Sequence, residues 1–145
     1  MSNTKKYRTN KSEMSKTGIA AKLIQQTIKK QSAMSESDKE FLRNLADCVD
    51  ANFADPLFSS IHISESLCLS QRQFSRKMKQ ILGMDSTHFI RSVRILKAKS
   101  MISQNNVRIS DIVESCGFST ANYFTRIFKK ETGITPSNFK KKENI

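Results

Sequence analysis

The sequence predicts an all-α chain of about seven helices, arranged as two helix-turn-helix subdomains joined by a long central helix. Three observations carry this. Only four Gly and two Pro occur in 145 residues, with few β-branched runs, which favours helix over strand. From Phe41 onward, apolar residues recur at helical spacing. Finally, one block of sequence is written twice. Ile63-Ser64-Glu65-Ser66-Leu67-Cys68-Leu69-Ser70 returns as Ile112-Val113-Glu114-Ser115-Cys116-Gly117-Phe118-Ser119, 49 positions later. Phe74-Ser75-Arg76-Lys77-Met78-Lys79 returns as Phe124-Thr125-Arg126-Ile127-Phe128-Lys129, 50 positions later, and Gly83 and Phe89 return as Gly133 and Phe139. One added residue between Ser119 and Phe124 accounts for the change of offset.

Each element has a local reason. Residues 1–35 read as a basic, mostly disordered tail or linker, being polar and Lys- and Ser-rich over 1–17. Within it, Ile19, Leu23, Ile24 and Ile28 give a short amphipathic pattern ending at Lys29-Lys30, which suggests a short fraying helix. A first subdomain is expected over 36–85. Ser35 or Ser37 caps its first helix, Ser37 standing in capping-box spacing with Glu40. Phe41, Leu42, Leu45 and Val49 form the inner stripe with Asp47 and Asp50 outward, and Asp55-Pro56 ends that helix. Helices over about 59–67 and 70–82 follow, the second capped by Ser70 and stopped by Gly83. A linker helix fills 86–104, with Phe89, Ile90, Val93, Leu96, Met101 and Ile102 as its apolar band. The second subdomain, 105–145, holds helices over about 110–116 and 120–132. Its last helix opens at Thr135-Pro136, a cap plus a first-turn proline.

The charge balance points to a polyanionic partner. The formal charge is +12 with a pI near 9.9, which suits DNA, RNA or an acidic membrane. It is unevenly spread: +7 over 1–35, −4 over 36–58 and +9 over 59–145, so the repeated region is basic in its own right. Cys48, Cys68 and Cys116 are odd in number and free of CxxC or Cys/His clustering. They read as reduced, buried thiols of a cytoplasmic protein, neither a disulfide framework nor a metal site. No apolar run approaches a membrane span and no secretory signal is seen.

The two repeated helices carry the candidate site. In the first, Phe74, Met78 and Ile81 or Leu82 turn inward, leaving Gln71, Arg72, Ser75, Arg76 and Lys79 outward. In the second, Phe124, Ile127 and Phe128 turn inward, leaving Ala121, Asn122, Thr125, Arg126 and Lys129 outward. Arg pairs bidentately with guanine and Asn or Gln with adenine, while Ala and the Thr methyl meet the thymine methyl. Ser70 and Ser119 would place hydroxyls and backbone N–H groups at the helix starts, where a phosphate can sit. A polar face on one helix alone would be an ordinary solvated surface; its repetition at fixed offset favours DNA reading. Within that linker a helix over about 87–103, 17 residues, spans roughly 26 Å, which with the helix widths approaches the ~34 Å between major-groove segments on one DNA face. Arg91, Arg94 and Lys97 form a ridge on that linker, either solvated or within reach of the DNA backbone.

Residues 59–142 resemble the C-terminal DNA-binding domain of the AraC/XylS family of bacterial transcription regulators. The resemblance is carried by the block Ile112–Ser119 together with Tyr123-Phe124-Thr125-Arg126-Ile127-Phe128-Lys129-Lys130-Glu131-Thr132-Gly133-Ile134-Thr135-Pro136-Ser137. It implies seven helices, tandem major-groove insertion, and base-facing roles for Arg72, Ser75, Arg76, Ala121, Asn122, Thr125 and Arg126. The run from Asp38-Lys39-Glu40-Phe41, with Ser70 through Lys79, is most similar to the output domains of Bacteroidetes hybrid two-component sensors. There are departures. Cys68 stands where the family usually has Gly, so the first turn must do without a residue tolerant of positive φ. Ser64 and Val113 replace a usual Ala. Arg72 and Arg76 are therefore also open to use as phosphate clamps.

Nothing in the sequence supports catalysis or a cofactor. His62 and His88 are isolated, and no phosphate-cradling loop or zinc-protease motif occurs. The expected partner is double-stranded DNA at a promoter or operator, with RNA polymerase as a second candidate and a monomer sufficient for two-part binding. The alternatives are a protein-interaction module or a non-specific nucleic-acid binder. An effector or receiver domain does not fit within residues 1–35, so the chain reads as a stand-alone regulator or the output end of a longer one.

Overall fold

The computed structural model describes residues 18–104 and 106–143, and these contain eight α-helices. They are α1 (Ile19–Lys30), α2 (Glu36–Asn52), α3 (Ser60–Ser66), α4 (Gln71–Leu82), α5 (Ser86–Ile102), α6 (Ile109–Ser115), α7 (Ala121–Thr132) and α8 (Pro136–Glu143). No strand occurs among the described residues. Two compact units result. Among the described residues, one takes 18–52 together with Phe58–Ile90; the other takes Phe53–Leu57 and the residues from Arg91 to Glu143. The division falls inside α5, so that helix contributes to both.

In the first unit, α2 is the central packing element. Its stripe of Phe41, Leu42, Leu45, Ala46, Cys48 and Val49 is buried. Ser35 rather than Ser37 caps it, its hydroxyl accepting the Asp38 N–H at 3.2 Å. Within the tail expected to be mostly disordered over 1–35, residues 19–30 are a helix, as their amphipathic pattern suggests, and it is packed rather than fraying. These form α1, with Ala20 and Ile24 buried. The clamp comes from α2: Asp50, expected outward, turns its carboxylate to the start of α1. There it accepts the N–H groups of Ala20 and Ala21 at 2.8 and 3.0 Å. This satisfies helix-terminal donors that α1 cannot satisfy from its own sequence, because Gly18 precedes it. The expectation for residues 1–17 lies outside the described residues.

The helix-turn-helix of this unit rests on two capping boxes. The His62 ring accepts the Ser59 N–H through Nδ1 at 3.0 Å, so this isolated histidine is a capping residue. Ser70 accepts the Gln73 N–H at 3.1 Å while the Gln73 side chain accepts the Ser70 N–H at 3.0 Å. Phe74 and Met78 are fully buried, each burial stabilising by about 1.5–3 kcal/mol, and Phe74 packs on Phe41 with ring centroids 6.2 Å apart. Gly83 stops α4 in the left-handed conformation.

The second unit has a core of Ile95, Ala98, Ile102, Ile112, Val113, Cys116, Phe118, Phe124, Ile127 and Phe128. On α5 the residues that enter this core are therefore Ile95, Ala98 and Ile102, whereas Leu96, expected inside, is exposed. An aromatic chain runs through it: Phe118 to Phe124 at 4.9 Å, Phe124 to Phe128 at 5.6 Å, and Phe128 to Phe139 at 5.4 Å. Pro136 opens α8, and the Thr135 hydroxyl accepts the Asn138 N–H at 3.2 Å.

Arg94 departs from the outward ridge, solvated or facing the DNA backbone, that it was expected to share with Arg91 and Lys97. Its guanidinium reaches the loop after α2, donating to the Phe53 carbonyl at 2.9 Å and the Asp55 carbonyl at 3.0 Å. Burial, the largest effect, lowers its pKa. Arg91 instead lies 3.9 Å from the Glu131 carboxylate.

Candidate nucleic-acid interface

All ten residues expected on the outer faces of the repeated helices are exposed. On α4 these are Gln71, Arg72, Ser75, Arg76 and Lys79; on α7 they are Ala121, Asn122, Thr125, Arg126 and Lys129. The reason is periodicity. Phe74 and Met78 fix which side of α4 enters the core, and Phe124, Ile127 and Phe128 do the same for α7. Counted from the helix starts, the two faces superpose by sequence: Arg72 matches Asn122, Ser75 matches Thr125, and Arg76 matches Arg126.

The turns before these helices differ by the one added residue. Residues 67–70 join α3 to α4, whereas 116–120 join α6 to α7. The insertion moves the cap: Thr120, not Ser119, accepts the Tyr123 N–H at 3.1 Å and begins α7. Thr120 is thus the counterpart of Ser70. The first turn also differs from expectation. Cys68 takes a left-handed conformation, φ 57°, as Gly117 does at the matched position with φ 78°. Cys68, expected to be buried like Cys48 and Cys116, is instead exposed, so its side chain has room even though the backbone conformation is strained. Gly117 has no such room, since a Cβ there would meet the Phe53 carbonyl oxygen. Ser64 and Val113, in place of small Ala residues, are both buried, and the Ser64 hydroxyl donates to the Ile61 carbonyl at 3.0 Å.

Several contacts hold side chains of these candidate faces in place. The Ser60 hydroxyl donates to the Gln71 amide oxygen at 3.1 Å, leaving the amide NH2 free to point outward. The Arg126 guanidinium lies over the Tyr123 ring, 5.4 Å from its centroid. Lys77, on the flank of α4, covers the Phe41 ring at 5.3 Å and so serves packing. Tyr123 and Thr120 were not among the residues expected to shape this face. The signal for Tyr123 was present, an aromatic three residues before an arginine on one helix.

No group of three or more His, Cys, Asp or Glu side chains among the described residues is placed to hold a metal ion. Burial pushes the Cys116 thiol up to about 11 and raises Cys48 as well, so both are core thiols held protonated. No helix among the described residues is long and apolar enough to cross a membrane.

These features define a class: paired helix-turn-helix units, each presenting an Arg-bearing polar face on the second helix of the motif. A family model described as a helix-turn-helix domain matches residues 63–142, and the chain belongs to that family. It is an AraC-type DNA-binding domain of transcription regulators. The HTH-type transcriptional activator RhaR of Escherichia coli O1:K1 / APEC is 32% identical over 104 residues, covering 72% of this chain and 36% of RhaR. The chain thus spans about a third of that relative's length. An AraC-type transcriptional regulator structure from Chromobacterium violaceum is similar with a TM-score of 0.68 at 25% identity, covering 75% of this chain and 96% of that one. The C-terminal domain of the two-component response regulator yesN from Fusobacterium nucleatum is similar with a TM-score of 0.63 at 28% identity, covering 66% of this chain and 93% of that one.

Proposed function

We propose that this chain regulates transcription by binding a specific double-stranded operator. Its helices α4 and α7 each enter a major groove, the two insertions falling on successive groove segments. The observation that carries the reading is the twofold occurrence of one exposed face, in matching register, on helices capped and stopped in the same way. On this reading Arg72, Arg76 and Arg126 read guanine, Gln71 and Asn122 read adenine, and Ala121, Ser75 and Thr125 pack on base edges and thymine methyls. Lys79 and Lys129, a turn further along, contact phosphate. The start of α4 at Ser70 and of α7 at Thr120 each present backbone N–H groups to a phosphate. The chain acts as a binding module and not as a catalyst.

The same reading takes in the chain's setting. The structural similarity to yesN, itself a response regulator's C-terminal domain, supports an output role in two-component signalling. The Asp38–Phe41 and Ser70–Lys79 runs favour the hybrid-sensor type found in Bacteroidetes. Residues 36–85 and 105–145 serve as the two readers and 86–104 as their linker, in a cytoplasmic protein for which a monomer suffices. RNA polymerase is its second partner.

The test is quantitative binding of Arg72→Ala and Arg126→Ala to an enriched duplex and to a scrambled one. Each variant is expected to lose about 1–3 kcal/mol on the enriched duplex and little on the other. Equal losses on both duplexes would reduce these arginines to phosphate contacts.

A further inference from the structure

The two reader helices do not hold their arginines alike. In α4 the residue three before Arg76 is Gln73, whose side chain is committed to the capping box with Ser70. In α7 the matched residue is Tyr123. Its N–H is fixed by the Thr120 hydroxyl at 3.1 Å. Its ring leans on the buried Phe118 ring, with centroids 6.1 Å apart and planes tilted by 55°. Phe118 is in turn locked against Phe124 at 4.9 Å. The outer face of the tyrosine ring carries the Arg126 guanidinium at 5.4 Å, within the range of a cation–π contact. Core, ring and guanidinium therefore form a stack running from the interior to the reading surface.

We propose that Tyr123 is a positioning residue that confines Arg126 before DNA arrives and so makes α7 the more discriminating reader of the two. An unconfined arginine gives up much of its rotamer freedom when it docks on a base edge. One already resting on a fixed ring gives up less, and the gain is confined to the base that the arginine meets in good geometry. A wrong base still meets a held guanidinium, but without the bidentate fit, so the gain appears in the ratio of affinities. The ring does this work; the hydroxyl does not.

This inference rests on the reading of Arg126 as a base contact, and its test separates the two. Duplexes differing only at the base pair Arg126 reads are titrated with Tyr123→Phe, Tyr123→Leu, Arg126→Ala and the Tyr123→Leu/Arg126→Ala double variant. The preference between base pairs at that position is expected to fall about 2- to 5-fold in Tyr123→Leu, the size of an exposed cation–π contact. Tyr123→Phe is expected to keep it. Affinity for scrambled DNA and the preference read by Arg72 should be unchanged in both, and Tyr123→Leu should add nothing in the Arg126→Ala background. An unchanged preference in Tyr123→Leu overturns the proposal while leaving the DNA-reading role intact. So does an equal fall at every position together with a lowered unfolding midpoint, which marks Tyr123 as packing alone. If Arg126→Ala itself leaves the preference untouched, the reading of Arg126 fails first.

Discussion

Asp50 on α2 accepts the Ala20 N–H of α1 at 2.8 Å, so the first helix is capped by a side chain thirty residues away in sequence. Replacing Asp50 with Ala is expected to cost about 1–2 kcal/mol, the worth of a good helix cap. Denaturant unfolding measures the loss, and amide exchange at Ala20 and Ala21 locates it. Unchanged protection of those two amides would show that α1 is held by Ile24 burial alone.

Asp47, one turn before Asp50, is predicted to oppose folding at neutral pH. Burial, and then repulsion from Asp50, raises its carboxyl above the ordinary 3.8. The folded protein then binds this proton more tightly than the unfolded chain does. This contribution is therefore favourable below the ordinary value and lost as pH rises through the raised one. Asp47→Asn should raise the unfolding midpoint at pH 7, with the advantage vanishing on acidification below 3.8. A gain that persists at low pH would assign the effect to something other than charge.

Arg94 is predicted to matter for stability and not for base preference. Arg94→Ala strands two carbonyls, those of Phe53 and Asp55, and should cost about 2–4 kcal/mol. Arg94→Lys, without the forked donor set, should recover only part of this. Selective loss of affinity with an unchanged unfolding midpoint would return Arg94 to the DNA-facing ridge.

The matched turn positions predict opposite responses. Gly117→Ala places a Cβ against the Phe53 carbonyl at φ 78° and should cost at least about 2 kcal/mol. Cys68→Gly relieves a side chain held at φ 57° and should stabilise by up to about 1 kcal/mol. Thermal unfolding of both variants checks the pair, and a stabilised Gly117→Ala would contradict it.

Helices α2 to α8 were legible to within a residue or two, because each has a periodic apolar face bounded by a cap, a glycine or a proline. The candidate reading residues were legible for the same reason: once Phe74 and Phe124 are inside, the opposite faces of α4 and α7 are fixed. What stayed hidden depends on contacts distant in sequence. Asp50 looks like one more exposed acid until α1 is laid against it. Arg94 looks like one member of a charge ridge until the loop at Phe53 comes within its reach. Ile95 and Leu96 are neighbours of similar hydrophobicity, and only the core's position on α5 decides between them. The cap at Thr120 was hidden by the insertion, which sequence alone lets fall anywhere between Ser119 and Phe124.

Selection of bound sequences from a random pool of DNA duplexes tests the central claim most directly, run in parallel with the protein and with Arg126→Ala. The expected result is a recurrent two-part motif with the protein, and loss of preference at one position within it for the variant. Recovery of duplexes with no shared motif, or the same motif undiminished in Arg126→Ala, would contradict the assignment of α7 as a reader of base sequence.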